Sequence, residues 1–205
     1  MNHKQKKALR QFEELRKGAK ELRLAADGWN ADWKTLIATL MSARTTDKKT
    51  IPVADGLFRK YDNINKLSRA KLKDVMKMIR SVNFYITKSK NIINLAEIII
   101  NDYNGKIPHD FDKLIELPGV GRKTANVFLA EQGHGTIGVD THLSYISRYL
   151  GWTKHIDQHK TEMDLQKLFP ERMWGKLNWV LVRFGQTHPN RKEKNKILDV
   201  IRKIK

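Results

Sequence analysis

The chain has 205 residues, 40 % of them apolar and 30 % charged, with no cysteine and a formal net charge of +18. A chain of this length buries a sizeable core. No apolar run is long enough to cross a bilayer, and the first residues lack the apolar stretch of a signal peptide, so a cytoplasmic location is expected. The lack of thiols excludes disulfides, zinc–thiolate sites and iron–sulfur clusters. The basic excess goes well beyond what solubility requires and favours a polyanion such as nucleic acid over a membrane surface.

Residues 4–25 read as an amphipathic helix with Leu9, Phe12, Leu15, Ala19 and Leu22 on one face, broken at Asp27-Gly28. Residues 31–43 form a mostly apolar helix around Trp33, Leu36, Ile37, Leu40 and Met41; another covers 47–61, with Pro52 blurring its start. Ser68 is placed to cap a helix reaching Arg80, striped by Leu72, Val75, Met76 and Ile79. A loop through Asn83 and Phe84 leads into a long helix, 86–103, closed by Asn104-Gly105. After residue 140 come four more helices, 141–150, 157–169, 171–185 and 190–204, in which Trp174, Leu177, Trp179, Val180, Leu181 and Phe184 suggest the core of a second lobe. His155 and His159 stand four apart, but no Glu follows the first as the zinc-protease motif requires, and no metal is expected. Apart from a briefly β-like 136–139 the two-residue alternation of strands is missing, and no repeat or linker tract interrupts the chain, so the fold class is all-α.

The stretch from Leu114 to His142 carries the chemistry. Residues 110–116 read as a short helix, 117–121 (Leu-Pro-Gly-Val-Gly) as a tight hairpin, and 121–132 as a second helix stopped by Gly133. Pro118 fixes one backbone angle, while Gly119 and Gly121 let the chain fold back and bare its amides. Unpaired N–H groups at a helix N-terminus form an anion site, here open enough for a phosphate on a polymer backbone. Lys123 lies in the first turn of the second helix; a neutral amine there is a nucleophile towards an electrophilic carbon such as a sugar C1′. Asp140 precedes a helical pattern and reads as an N-cap, a fixed negative charge. A connecting turn, a solvated lysine and a structural cap would each look the same alone. Their combination, in this order and in so basic a chain, points to chemistry on nucleic acid.

LPGVGRKTANV followed by VDTH closely resembles the helix-hairpin-helix DNA glycosylases of the endonuclease III branch, and the resemblance spans about residues 36–185. It implies two helical lobes with a DNA-binding cleft between them: residues 28–136 carrying the hairpin, and residues 1–27 with 137–205. It implies Lys123 as the Schiff-base lysine and Asp140 as the catalytic aspartate. Adenine- and mismatch-specific relatives usually carry another residue at the lysine position, so Lys123 points to a bifunctional glycosylase and abasic-site lyase, acting on damaged, chiefly oxidised, pyrimidines and cutting by β-elimination.

The same resemblance places Arg44, where the family often has glutamine, in the segment that fills the gap left by an extruded nucleotide. Phe84 falls at its apolar wedge, with Lys88 on the basic helix start beside it, and the Gly119 and Gly121 amides would hold a phosphate. Most relatives keep an iron–sulfur cluster in a four-cysteine loop near the C-terminus. Here His188 stands about where the first cysteine would fall, and Arg191 and Lys192, with Lys194 and Lys196, are expected to take over the lost loop's phosphate contacts. The implied protein needs no cofactor, binds duplex DNA containing a damaged base or abasic site as a monomer associated with the nucleoid, and has no membrane partner. The rival readings are a glycosylase for mismatched or deaminated bases and a non-catalytic helix-hairpin-helix DNA-binding module. A phosphate-loop enzyme is disfavoured because Arg122 separates the glycine from Lys123 and a helix, not a strand, precedes.

Overall fold

Residues 1–204 are described in the computed structural model, and the regular elements among them are all helical. In chain order they are α1 (His3–Gly18), α2 (Asp32–Ser42), α3 (Asp47–Lys60), α4 (Ile64–Ser68), α5 (Leu72–Met78), α6 (Tyr85–Tyr103), α7 (Phe111–Glu116) and α8 (Arg122–Glu131). They continue as α9 (Thr141–Tyr149), α10 (Gln158–Leu168), α11 (Trp174–Thr187) and α12 (Arg191–Arg202), with a 3₁₀ turn at Glu171–Met173. Residues 136–139 form no strand.

The helices sort into two units, Arg23–Gln132 and Met1–Leu22 with Gly133–Lys205. The sequence places these boundaries a few residues later. Residues 23–27 join the first unit because the Ala25 amide donates to Asp47 Oδ1 (3.2 Å) and Trp29 Nε1 donates to the Ala25 carbonyl (2.7 Å).

The first unit closes around α2, whose residues Leu36, Ile37, Leu40 and Met41 are buried together with Leu57 of α3, Leu67 of α4, Ile92 and Leu95 of α6, Leu114 of α7 and Phe128 of α8. Fully burying each such side chain is worth about 1.5–3 kcal/mol. In the second unit α1 contributes Phe12 and Leu15 to a core completed by Leu143, Ile146, Leu165, Leu177, Leu181, Phe184, Leu198 and Ile201. Trp174 and Val180 pack against that core. Trp179 is only half-buried and lies outside it, with the Arg183 guanidinium 5.7 Å above its ring.

Two helix expectations need correction. The first helix stops at Gly18 rather than near residue 25, because the segment after it is claimed by α11: the Lys20 amide donates to Thr187 Oγ1 (3.0 Å) and Arg183 Nε to the Leu22 carbonyl (2.8 Å). Ser68 does not start a helix. It ends α4, its hydroxyl donating to the Asn65 carbonyl, and α5 begins only at Leu72.

Candidate active site

Asp110 caps α7 by accepting the Lys113 amide (3.0 Å), and the chain turns directly after Glu116. The Val120 amide donates to the Leu117 carbonyl (3.0 Å), closing a four-residue turn in which Gly119 stands at φ +79°. That turn is pressed from below: a Cβ on Gly119 would lie 2.6 Å from Asn91 Nδ2 of α6 and 3.0 Å from Leu40 Cδ1 of α2. Gly121, the N-cap of α8, is different. Its backbone is extended, a Cβ there would meet nothing within 4 Å, and no side chain caps the helix. The start of α8 therefore has no side-chain cap and open space at its N-cap position, the arrangement in which a helix start accepts an anion.

Lys123 occupies the second position of α8 and is half-buried, while Thr124 and the five residues after it are buried in the unit. Asp140 is the N-cap of α9 in the other unit; its Oδ1 accepts the Leu143 amide at 2.8 Å, which fixes the carboxylate's direction. The segment leading to it is tied down by Asn178 Nδ2, which donates to the Gly138 carbonyl at 2.6 Å. Two residues on, the His142 ring lies against Gly185 of α11 so closely that a Cβ there would collide with it. Lys123 and Asp140 thus each stand at a helix start, one in each unit.

Arg44 and Phe84 meet. Both are exposed, both adopt the left-handed conformation (φ +57° and +60°), and the guanidinium lies 5.1 Å from the ring. Such backbone angles cost a non-glycine residue about 1–3 kcal/mol and persist only where the surroundings impose them. Lys88 is corrected. It does not face solvent but is 7 % exposed, its Nζ donating to the Met41 carbonyl at 2.7 Å and the Ala43 carbonyl at 2.6 Å, at the C-terminus of α2. The reason is helix chemistry: the last carbonyls of α2 lack intrahelical donors and carry the negative end of its dipole. Burial pushes the Lys88 amine down to about 8, while the two carbonyls favour the charged form. No sequence pattern marks a lysine as buried, and this role was not foreseeable from one.

Arg191 and Lys192 are exposed at the start of α12, the Arg191 guanidinium 5.2 Å from the Tyr145 ring. Lys194 is withdrawn, 8 % exposed with its Nζ 3.5 Å from the Gly185 carbonyl, so it is not a free phosphate contact. The residues present do not fit an iron–sulfur cluster. The chain holds no thiol, and His188 donates through Nε2 to the Gly18 carbonyl (3.0 Å) while packing on the Phe184 ring. His155 lies outside α10, so it does not share a helical face with His159.

Residues 37–171 match the family model described as HhH-GPD superfamily base excision DNA repair protein. Endonuclease III of Thermotoga maritima is 37 % identical over 155 residues, 75 % of this chain and 73 % of that protein. Endonuclease III of Bacillus subtilis is 36 % identical over 158 residues, 76 % of this chain and 72 % of its relative. Among solved structures, a trapped covalent endonuclease III–DNA intermediate superposes with a TM-score of 0.84 at 32 % identity, covering 94 % of this chain and 90 % of that one.

Proposed function

This chain belongs to the HhH-GPD superfamily of base excision DNA repair proteins, in its endonuclease III branch, and from that premise we propose that it works as a DNA glycosylase and abasic-site lyase through Lys123 and Asp140. Duplex DNA is held by the amides of Gly119 and Gly121 at the hairpin, and the damaged nucleotide is turned out of the stack because its reacting atoms cannot be reached inside it. Arg44 and Phe84 enter the space it leaves. As the base departs with the electrons of its bond to C1′, positive charge builds on the sugar, and the Asp140 carboxylate stabilises it. The Lys123 amine forms the new bond to C1′ and loses a proton; the C1′–O4′ bond then opens, O4′ leaving with its electrons and taking up a proton, and an imine remains. The imine acidifies the C2′ proton; its removal expels the 3′ phosphate and cuts the strand. Oxidised and ring-saturated pyrimidines are the substrates assigned, since they stack poorly and turn out at lower cost. Arg191 and Lys192 contact phosphates in place of the missing cluster loop.

The reading is carried by Lys123, an amine in the first turn of α8 directly behind a glycine hairpin whose helix start has no side-chain cap. The captured covalent complex of a similar protein with DNA supports a covalent protein–DNA adduct as part of the reaction. The test is borohydride reduction in the presence of an abasic duplex. A stable protein–DNA adduct is expected from the native chain and none from Lys123→Ala, which also loses strand cleavage while still binding duplex. An undiminished adduct in Lys123→Ala would remove this lysine from the chemistry. No adduct from a folded, DNA-binding native protein would leave a non-catalytic hairpin module.

A further inference from the structure

Lys88 is the buried charge that the mechanism above does not use. Besides the carbonyls of Met41 and Ala43, its Nζ lies 3.5 Å from Thr45 Oγ1. The same hydroxyl accepts the Asn83 amide at 3.1 Å, and Asn83 Nδ2 donates to the Arg44 carbonyl at 2.5 Å. Asn83 thus bonds the 43–45 loop directly, and Lys88, in the first turn of α6 with its amide donating to the Phe84 carbonyl (3.0 Å), bonds that loop and the end of α2. Three non-glycine residues have positive φ among the described residues, and two of them, Arg44 and Phe84, sit in these two loops. Their side chains are at the surface, Phe84 58 % exposed, so core packing does not explain the strain. A buried ammonium with carbonyl partners is a costly way to join two loops if only stability were needed, since an apolar side chain would serve.

Resting on the function proposed above, we infer that Lys88 is a positioning residue for nucleotide extrusion. Its ammonium ties the Arg44 loop to the first turn of α6, the helix that Phe84 caps, so that guanidinium and ring enter the duplex as one rigid probe rather than as two independently moving side chains. Rigidity matters because the gap must be filled while the nucleotide is leaving; a loose pair loses conformational entropy at that moment and slows the step.

The lack of cysteine allows a specific test, because Lys88→Cys introduces a single thiol. Alkylating it with 2-bromoethylamine in denaturant, followed by refolding, restores an amine of lysine length at this position alone. Borohydride adduct formation is then timed on an abasic duplex, which requires extrusion, and on an abasic single strand, which does not. Lys88→Met is expected to slow the duplex reaction about tenfold or more, with less than about a twofold effect on the single strand; the alkylated Lys88→Cys recovers the duplex rate. Asn83→Ala, at an exposed position that leaves the core intact, is expected to slow the duplex reaction selectively by about threefold and serves should Lys88→Met fail to fold. The inference is overturned if Lys88→Met and Asn83→Ala react with duplex as fast as the native chain, if both DNA forms slow equally, or if alkylation restores the melting temperature but not the duplex rate. A native chain that forms no adduct even with single strand overturns the enzyme reading, and this inference with it.

Discussion

The two hairpin glycines are present for different reasons, and substitution separates them. Gly119 is required by the fold: its φ of +79° strains any residue with a Cβ, and Asn91 and Leu40 leave no room for one. Gly119→Ala is expected to lower stability by about 1–3 kcal/mol, read from urea unfolding. Gly121 has ordinary extended angles and open space in front of it. Gly121→Ala is expected to change stability by no more than about 1 kcal/mol and to weaken duplex binding, because the added methyl stands where the phosphate approaches. Equal affinity for the two proteins would rule out an anion site at this helix start. The same residues show how far local sequence carries. Lys123 and the Asp140 cap follow from turn and cap chemistry that lies within a few positions of each. Lys88 does not, since what buries it is the end of α2, more than forty residues earlier in the chain.

At the level of single elements, α12 was expected mainly as a basic surface. In the structure it is first a packing element. Leu198 and Ile201 enter the core, the Ile201 carbonyl accepts from Gln11 of α1, Tyr145 of α9 bonds Asn195, and Tyr149 bonds Asp199. Deleting the helix would strip that core, so point changes are needed to separate its two roles. Leu198→Ala is expected to cost about 2–5 kcal/mol of stability. Replacing exposed Lys192 and Lys196 by alanine is expected to leave the melting temperature unchanged while flattening the salt dependence of DNA binding by about 0.9 for each phosphate no longer neutralised. Helix ends were legible where a local signal closes them, as at Asn104 and Gly105, both at positive φ after α6. They were not legible where a distant side chain decides. Thr187 and Arg183 pull residues 20 and 22 out of a helix that hydrophobic spacing would have continued, and Lys71, not Ser68, precedes α5.

For the whole molecule, the decisive quantity is the net charge of +18. With roughly four to six phosphates neutralised, log K for undamaged duplex is expected to fall with log salt at a slope of about −4 to −5. A slope near zero in a titration would mean that the basic excess serves solubility alone. The all-helical class was legible because apolar spacing of three and four recurs through the chain. The division into two units was legible only through the resemblance, since nothing in residues 3–18 says that their partners lie near the other end.

That separation has a consequence for synthesis. The apolar face of α1 leaves the ribosome well before α11, against which Gly18 packs through Phe184 and which begins roughly 150 residues later. At ordinary elongation speeds this is a wait on the order of ten seconds. Meanwhile the intervening unit has all its own helices in hand and can close alone. The nascent chain therefore carries a finished module tethered to a greasy, unpartnered helix, and a chaperone that waits at the ribosome would find its binding surface on that helix rather than on the module.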